Sequence, residues 1–79
     1  MEERISNPLS DKETYRFGSM AIFRGYVTLK QVQQALAEQV EDNVNGKPHR
    51  PLGKILQEKG WITEEQERSI LKEMFGEEV

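Results

Sequence analysis

Few residues of this chain have the type and spacing that chemistry needs. His49 is the one histidine, and it sits in a proline-flanked run with no acid or nucleophile beside it. It reads as an exposed loop residue rather than a general base. Cysteine is absent, which removes disulfides, thiolate metal sites and thiol catalysis together. With one histidine and no cysteine, a structural zinc site is not expected either. Glu64, Glu65, Glu67 and Glu73 spread around the last helical segment and read as a solvated face with favourable charge near a helix N-terminus. Gly18 and Gly53 do not sit in a strand–loop–helix phosphate motif. No enzyme is read from these residues. What remains is binding chemistry: two arginines, Arg16 and Arg50, two and three residues ahead of a glycine.

The elements that must position them are small. Seventy-nine residues make one domain. A core drawn from a chain that is 35% hydrophobic is modest, and at this size a single core rarely contributes more than about 3–5 kcal/mol of net stability. No stretch approaches the roughly 18 apolar residues of a membrane span. The start, Met1-Glu2-Glu3-Arg4, lacks the greasy stretch of a signal peptide, so a soluble cytoplasmic protein is expected, with no membrane insertion. The net charge of −3 argues against a general nucleic-acid binder. It is unevenly spread, however. Residues 16–59 carry seven bases against four acids, while both flanks are acidic. A local positive field of this kind suits a small anion; an ordinary solvated surface gives the same count.

Sliding the sequence against itself reveals a repeat. At an offset of 35 residues, 17–40 lies over 52–75 with six identities: Gly18/Gly53, Gly25/Gly60, Thr28/Thr63, Gln31/Gln66, Leu36/Leu71 and Glu38/Glu73. Phe17/Leu52, Met20/Ile55, Ala21/Leu56, Tyr26/Trp61 and Val27/Ile62 keep their character. The identities fall on turn and cap positions. One supersecondary unit is used twice.

Each unit reads as a short helix, a tight turn and a longer helix. Gly25 and Gly60 suit the left-handed residue that ends the first helix. Thr28 with Gln31, and Thr63 with Gln66, spell capping boxes that start the second. Val27 and Ile62 precede the caps, where an apolar residue staples the turn. Ser10 and Glu13 form a third candidate box, starting the first helix near Asp11, and Gly76 suits the end of the last. Leu29, Val32, Leu36 and Val40 predict one apolar stripe on the second helix, and Ile70, Leu71, Met74 and Phe75 on the fourth. Residues 42–51 are turn formers and predict a loop. Pro51 fits the first turn of the third helix, and residues 1–9 read as a flexible arm. The expected fold is all-α: two tandem helix-turn-helix hairpins, four helices in all, packed side by side as one domain over 10–79, with repeats at about 16–40 and 51–75. Gly18 and Gly53 cost helix propensity in their short helices. They are explained either by close approach of the hairpins or by close approach of a ligand to bare backbone.

Arg16-Phe17-Gly18, then Ala21-Ile22, Gly25, Val32, Leu36 and Gln39, resemble a 24-residue motif. It belongs to the N-terminal domain of bacterial type II secretion and type IV pilus assembly ATPases. The version called MshEN uses two such motifs in tandem to bind cyclic di-GMP. Gly60-Trp61-Ile62-Thr63-Glu64-Glu65-Gln66 is also typical of that family, and the resemblance covers residues 16–75. It implies that Arg16 contacts a guanine and that Phe17, Gly18 and Gly25 belong to the site. It further implies that Ala21, Ile22, Val32 and Leu36 form an apolar floor, with Gln39 supplying polar contacts at its edge. In the second unit, Leu52 and Gly53 match. Pro51 stands at the arginine position, with Arg50 displaced by one residue. Gln57, Glu67 and Met74 replace the counterparts of Ile22, Val32 and Gln39. A carboxylate at Glu67 near the floor would repel a dianion.

Three functions follow. One is a non-enzymatic adaptor with this fold and no cofactor, sensing cyclic di-GMP through its first motif. It would present Tyr26, Trp61, Phe23 or Phe75 to a larger protein partner or to a second copy of itself. Another is a cyclic di-GMP receptor proper, using both motifs. The third is a DNA-binding helix-turn-helix, which the few bases after the caps (Lys30, Arg68, Lys72) disfavour. No DNA or RNA partner is expected.

Overall fold

The computed structural model describes residues 11–76, and within them the protein is all-α. Four helices follow one another: α1 (Asp11–Phe23), α2 (Leu29–Val44), α3 (Leu52–Glu58) and α4 (Glu64–Phe75). The arm at 1–9 and the cap at Ser10 lie outside the described residues. None of the helices is long and apolar enough to cross a membrane.

Local chemistry sets the boundaries. Thr28 accepts from Gln31 N at 3.1 Å while its own N–H donates to Gln31 Oε1 at 2.9 Å. Thr63 and Gln66 repeat both bonds at 3.0 and 2.9 Å. These reciprocal bonds satisfy donors that each helix start would leave unpaired. The turns before the caps are copies of one another. Gly25 and Gly60 both sit at φ 77°. Tyr26 N donates to Ala21 O at 3.0 Å, and Trp61 N to Leu56 O at the same distance. This is the six-to-one bond that closes a helix through a left-handed glycine. Gly76 ends α4 at φ 78°.

The two units interlock. α1 packs on α4, α2 packs on α3, α1 meets α3, and α3 also touches α4 within its own unit. The first helix of each unit is thus seated on the second helix of the other. Phe17, Ala21, Val27, Val32, Ala35, Leu52, Ile55, Leu56, Ile62 and Ile70 form the core.

This arrangement corrects four expectations. α2 runs to Val44 instead of ending before a loop at 42. Asn45 N reaches Glu41 O at 3.0 Å, Lys47 N reaches Asp42 O at 2.8 Å, and Asp42 is itself anchored by Arg50. The α2 stripe divides: Val32 is buried and Leu36 half-buried, but Leu29 and Val40 are exposed, and Ala35 takes the core position instead. On α4, Ile70 is buried while Phe75 is exposed. Pro51 stands just before α3, as its N-cap with ψ 153°, and its carbonyl accepts from Lys54 and Ile55.

Candidate functional site

The residues singled out in the sequence fall into an inner and an outer set. Phe17, Gly18, Ala21, Val32, Leu52 and Gly53 are all buried. Ile22, Leu36 and Gln39 are half-buried, and Arg16 and Gly25 are exposed. Arg16 lies on the water-facing side of α1 and makes no ion pair among the described residues.

The two glycines are covered by protein. A Cβ on Gly18 would stand 3.0 Å from Val32 Cγ1 and 3.3 Å from Leu52 Cδ2. On Gly53 it would stand 2.8 Å from Glu67 Oε2 and 2.9 Å from Phe17 Cζ. Val32 and Glu67 are repeat partners, as are Leu52 and Phe17. Each glycine therefore receives one side chain from its own unit and one from the other. Close packing of the hairpins accounts for both glycines. Glu67 lies over Gly53 as Val32 lies over Gly18. Its side chain has no ion-pair partner among the described residues.

Arg50 is engaged by its own chain. Its Nε donates to Asp42 Oδ2 at 2.8 Å, one terminal nitrogen to Glu58 Oε1 at 2.8 Å, and the other to Glu38 Oε1 at 3.3 Å. Gln39 Nε2 donates to the Arg50 carbonyl at 2.9 Å. The loop between the units is thereby stitched to α2 at two points. The charge-assisted bonds shift Arg50, Asp42 and Glu38. Hydrogen bonding to Asp42 and Glu58 raises the Arg50 pKa, and the bond from Arg50 holds Asp42 below its ordinary value. Glu38 is lowered first by its bond with Lys59, then by Arg50.

His49, expected to be exposed, is half-buried, because the stitched residue beside it draws the loop onto the bundle. Its Nε2 is buried without a hydrogen-bond partner, as is Gln57 Oε1. Among the described residues no group of acids and histidine is placed to hold a metal ion.

The sequence reading missed a second network. Arg24, just past α1, pairs with Glu73 on α4 and donates to Ser69 Oγ at 2.8 Å. Lys59, just past α3, pairs with Glu38 on α2. Arg24 also lies over the Tyr26 ring at 6.0 Å and Lys59 over the Trp61 ring at 5.5 Å. A base–aromatic–acid set thus occurs twice, with each base reaching the acid of the other unit. The signal was available: a base recurs at the same offset as the identical glutamates.

Large apolar side chains remain in water. Phe23 is 87% exposed, Val44 78%, Val40 60% and Leu29 59%. Tyr26 and Trp61 are half-buried under their cations, so of the four aromatics expected to anchor a partner only Phe23 and Phe75 are exposed. Comparison of the chain with models of known families, with curated proteins and with solved structures finds no match.

Proposed function

We propose that this chain is a non-enzymatic interaction module, a small all-α adaptor that presents an apolar helix flank to another protein. The observation that carries this is the exposure of Leu29, Val40 and Val44 along α2, joined by Phe23 at the end of α1. Several exposed apolar side chains on one helix are a feature of docking surfaces. On this reading the protein works on the cytoplasmic side of a bacterial membrane, with a larger partner of the secretion or pilus type that the motif resembles. Cyclic di-GMP is the small ligand that the first motif would sense. Nucleic acid plays no part. The test compares the native chain with Val40→Lys/Val44→Lys as bait. A partner retained by the first and lost by the second, with equal helicity, supports the adaptor; equal retention overturns it.

The second reading is a cyclic di-GMP receptor proper, and the exposure of Arg16 without an ion partner favours it. An arginine free of carboxylates can stack on a guanine or meet a phosphate. The second motif offers less. Arg50 is held by three acids, and Glu67 places negative charge over Gly53. Calorimetric titration with cyclic di-GMP separates the readings. Micromolar binding lost in Arg16→Ala, with helicity kept, supports nucleotide sensing. No heat from a folded protein removes the nucleotide and leaves the adaptor.

A further inference from the structure

The geometry points to a second copy of this chain as an occupant of the α2 flank, paired antiparallel about Leu36. This rests on the interaction-module reading and names the partner. On a helix of 3.6 residues per turn, Leu29, Gln33, Leu36, Val40 and Val44 fall in one strip. Leu36 is half-buried, its inner edge on the core, and the apolar residues on either side of it are exposed. The core side of α2 is taken by Val32, Ala35 and Asp42, and the strip runs beside it, touching the core only through Leu36.

The strip is self-complementary in one direction only. Turned about Leu36, Leu29 of one copy meets Val44 of the other, Gln33 meets Val40, and Leu36 meets itself. Lys30 and Glu41 share one edge of the strip. Both are exposed and neither has an ion partner among the described residues. In a twofold pair, residues on the same edge meet, so Lys30 of each copy faces Glu41 of the other. A parallel pairing would instead place this edge on opposite sides of the seam in the two copies, so that Lys30 of neither copy meets Glu41 of the other. Charge thus selects the antiparallel arrangement, as edge charges do in paired helices. One helix flank buries less than the roughly 800 Å² per partner of a standard interface, so the dimer is weak, with a Kd on the order of 100 μM.

Sedimentation equilibrium of the full chain, up to about ten times that Kd, tests this. The native chain should show a monomer–dimer equilibrium. Lys30→Glu should weaken it by roughly tenfold, since each of two symmetric pairs becomes a repulsion. Lys30→Glu/Glu41→Lys should restore it, and Val40→Lys should abolish it. All these positions are exposed, so circular dichroism should be unchanged. A monomer at every concentration overturns the proposal, as does a dimer that Lys30→Glu does not weaken. A monomer that still retains a different protein through Val40 also overturns self-pairing, while leaving the adaptor reading intact.

Discussion

Arg24 and Lys59 stand 35 residues apart, at the same point of two equivalent turns, and each pairs with a glutamate of the opposite unit. Arg24 reaches Glu73 and Lys59 reaches Glu38. Glu38 and Glu73 are themselves repeat partners. The two bridges are therefore one interaction made twice, and they clamp the end of the first helix of each unit to the second helix of the other. Tyr26 and Trp61 lie beneath the same cations, so each base is held by an acid and a ring together.

A double-mutant cycle on Arg24→Met and Glu73→Gln should show coupling of about 0.5 kcal/mol, the scale of partly exposed ion pairs. Glu73 is 57% exposed at its side chain, so the coupling should shrink in high salt. Urea unfolding at two ionic strengths measures both. Zero coupling at low salt would mean that α1 is seated by packing alone.

The glycines should respond unequally to alanine. At Gly18 the new methyl meets Val32 Cγ1 at 3.0 Å, and a small shift is offset by the roughly 1 kcal/mol that alanine gains in a helix. Gly18→Ala is expected to lie within about 0.5 kcal/mol of the native chain. At Gly53 the methyl meets Glu67, which can swing aside, and the tip of Phe17 at 2.9 Å, which cannot. Phe17 is only 1% exposed. Gly53→Ala should destabilise by about 1 kcal/mol net, as overpacking outweighs propensity. Thermal and urea unfolding of both variants decides it.

Acid should loosen the stitch between α2 and the loop. Lys59 lowers Glu38, and Arg50 lowers Asp42, each mainly through a hydrogen bond to the carboxylate. A carboxyl group depressed in the folded state stabilises above its unfolded pKa, and that contribution is lost as pH falls through the folded value. The loss begins below 4.5 for Glu38 and 3.8 for Asp42. Stability should be level from neutral pH to about 5 and fall below that, with a shallower fall in Asp42→Asn. Denaturant midpoints from neutral to strongly acidic buffer check the slope.

What was legible in the sequence is what is local. Gly25 with Thr28 and Gln31, and Gly60 with Thr63 and Gln66, specify their turn and cap through neighbours only a few residues away. Their repetition exposed the duplicated unit. What stayed hidden depends on distant partners. The end of α2 lies beyond Asp42 because Arg50, eight residues on, anchors it. The α2 stripe divides because α2 rests on α3 of the other unit, and this turns Ala35 inward and Leu29 out. Periodicity gives the width of an apolar face but not which edge of it finds a neighbour. Gly18 and Gly53 admitted two explanations for the same reason: the side chains that cover them come partly from the opposite unit.

Glu67 offers the clearest departure from the repeat and the last test. Its counterpart Val32 is buried against Gly18, whereas Glu67 brings an unpaired, half-buried carboxylate to Gly53 and Phe17. Desolvating a charge without a partner opposes folding, and an apolar side chain there would extend the core instead. Glu67→Val should therefore stabilise the chain by about 0.5–1 kcal/mol, with the loss of one helix-start acid taking back a few tenths. If cyclic di-GMP binds, the same variant should bind it more tightly, because a negative charge leaves the second motif. Unfolding by urea and titration with the nucleotide give the two readouts. A variant less stable than the native chain would mean that the carboxylate is solvated where it stands, and that the second unit tolerates charge at the position its twin keeps dry.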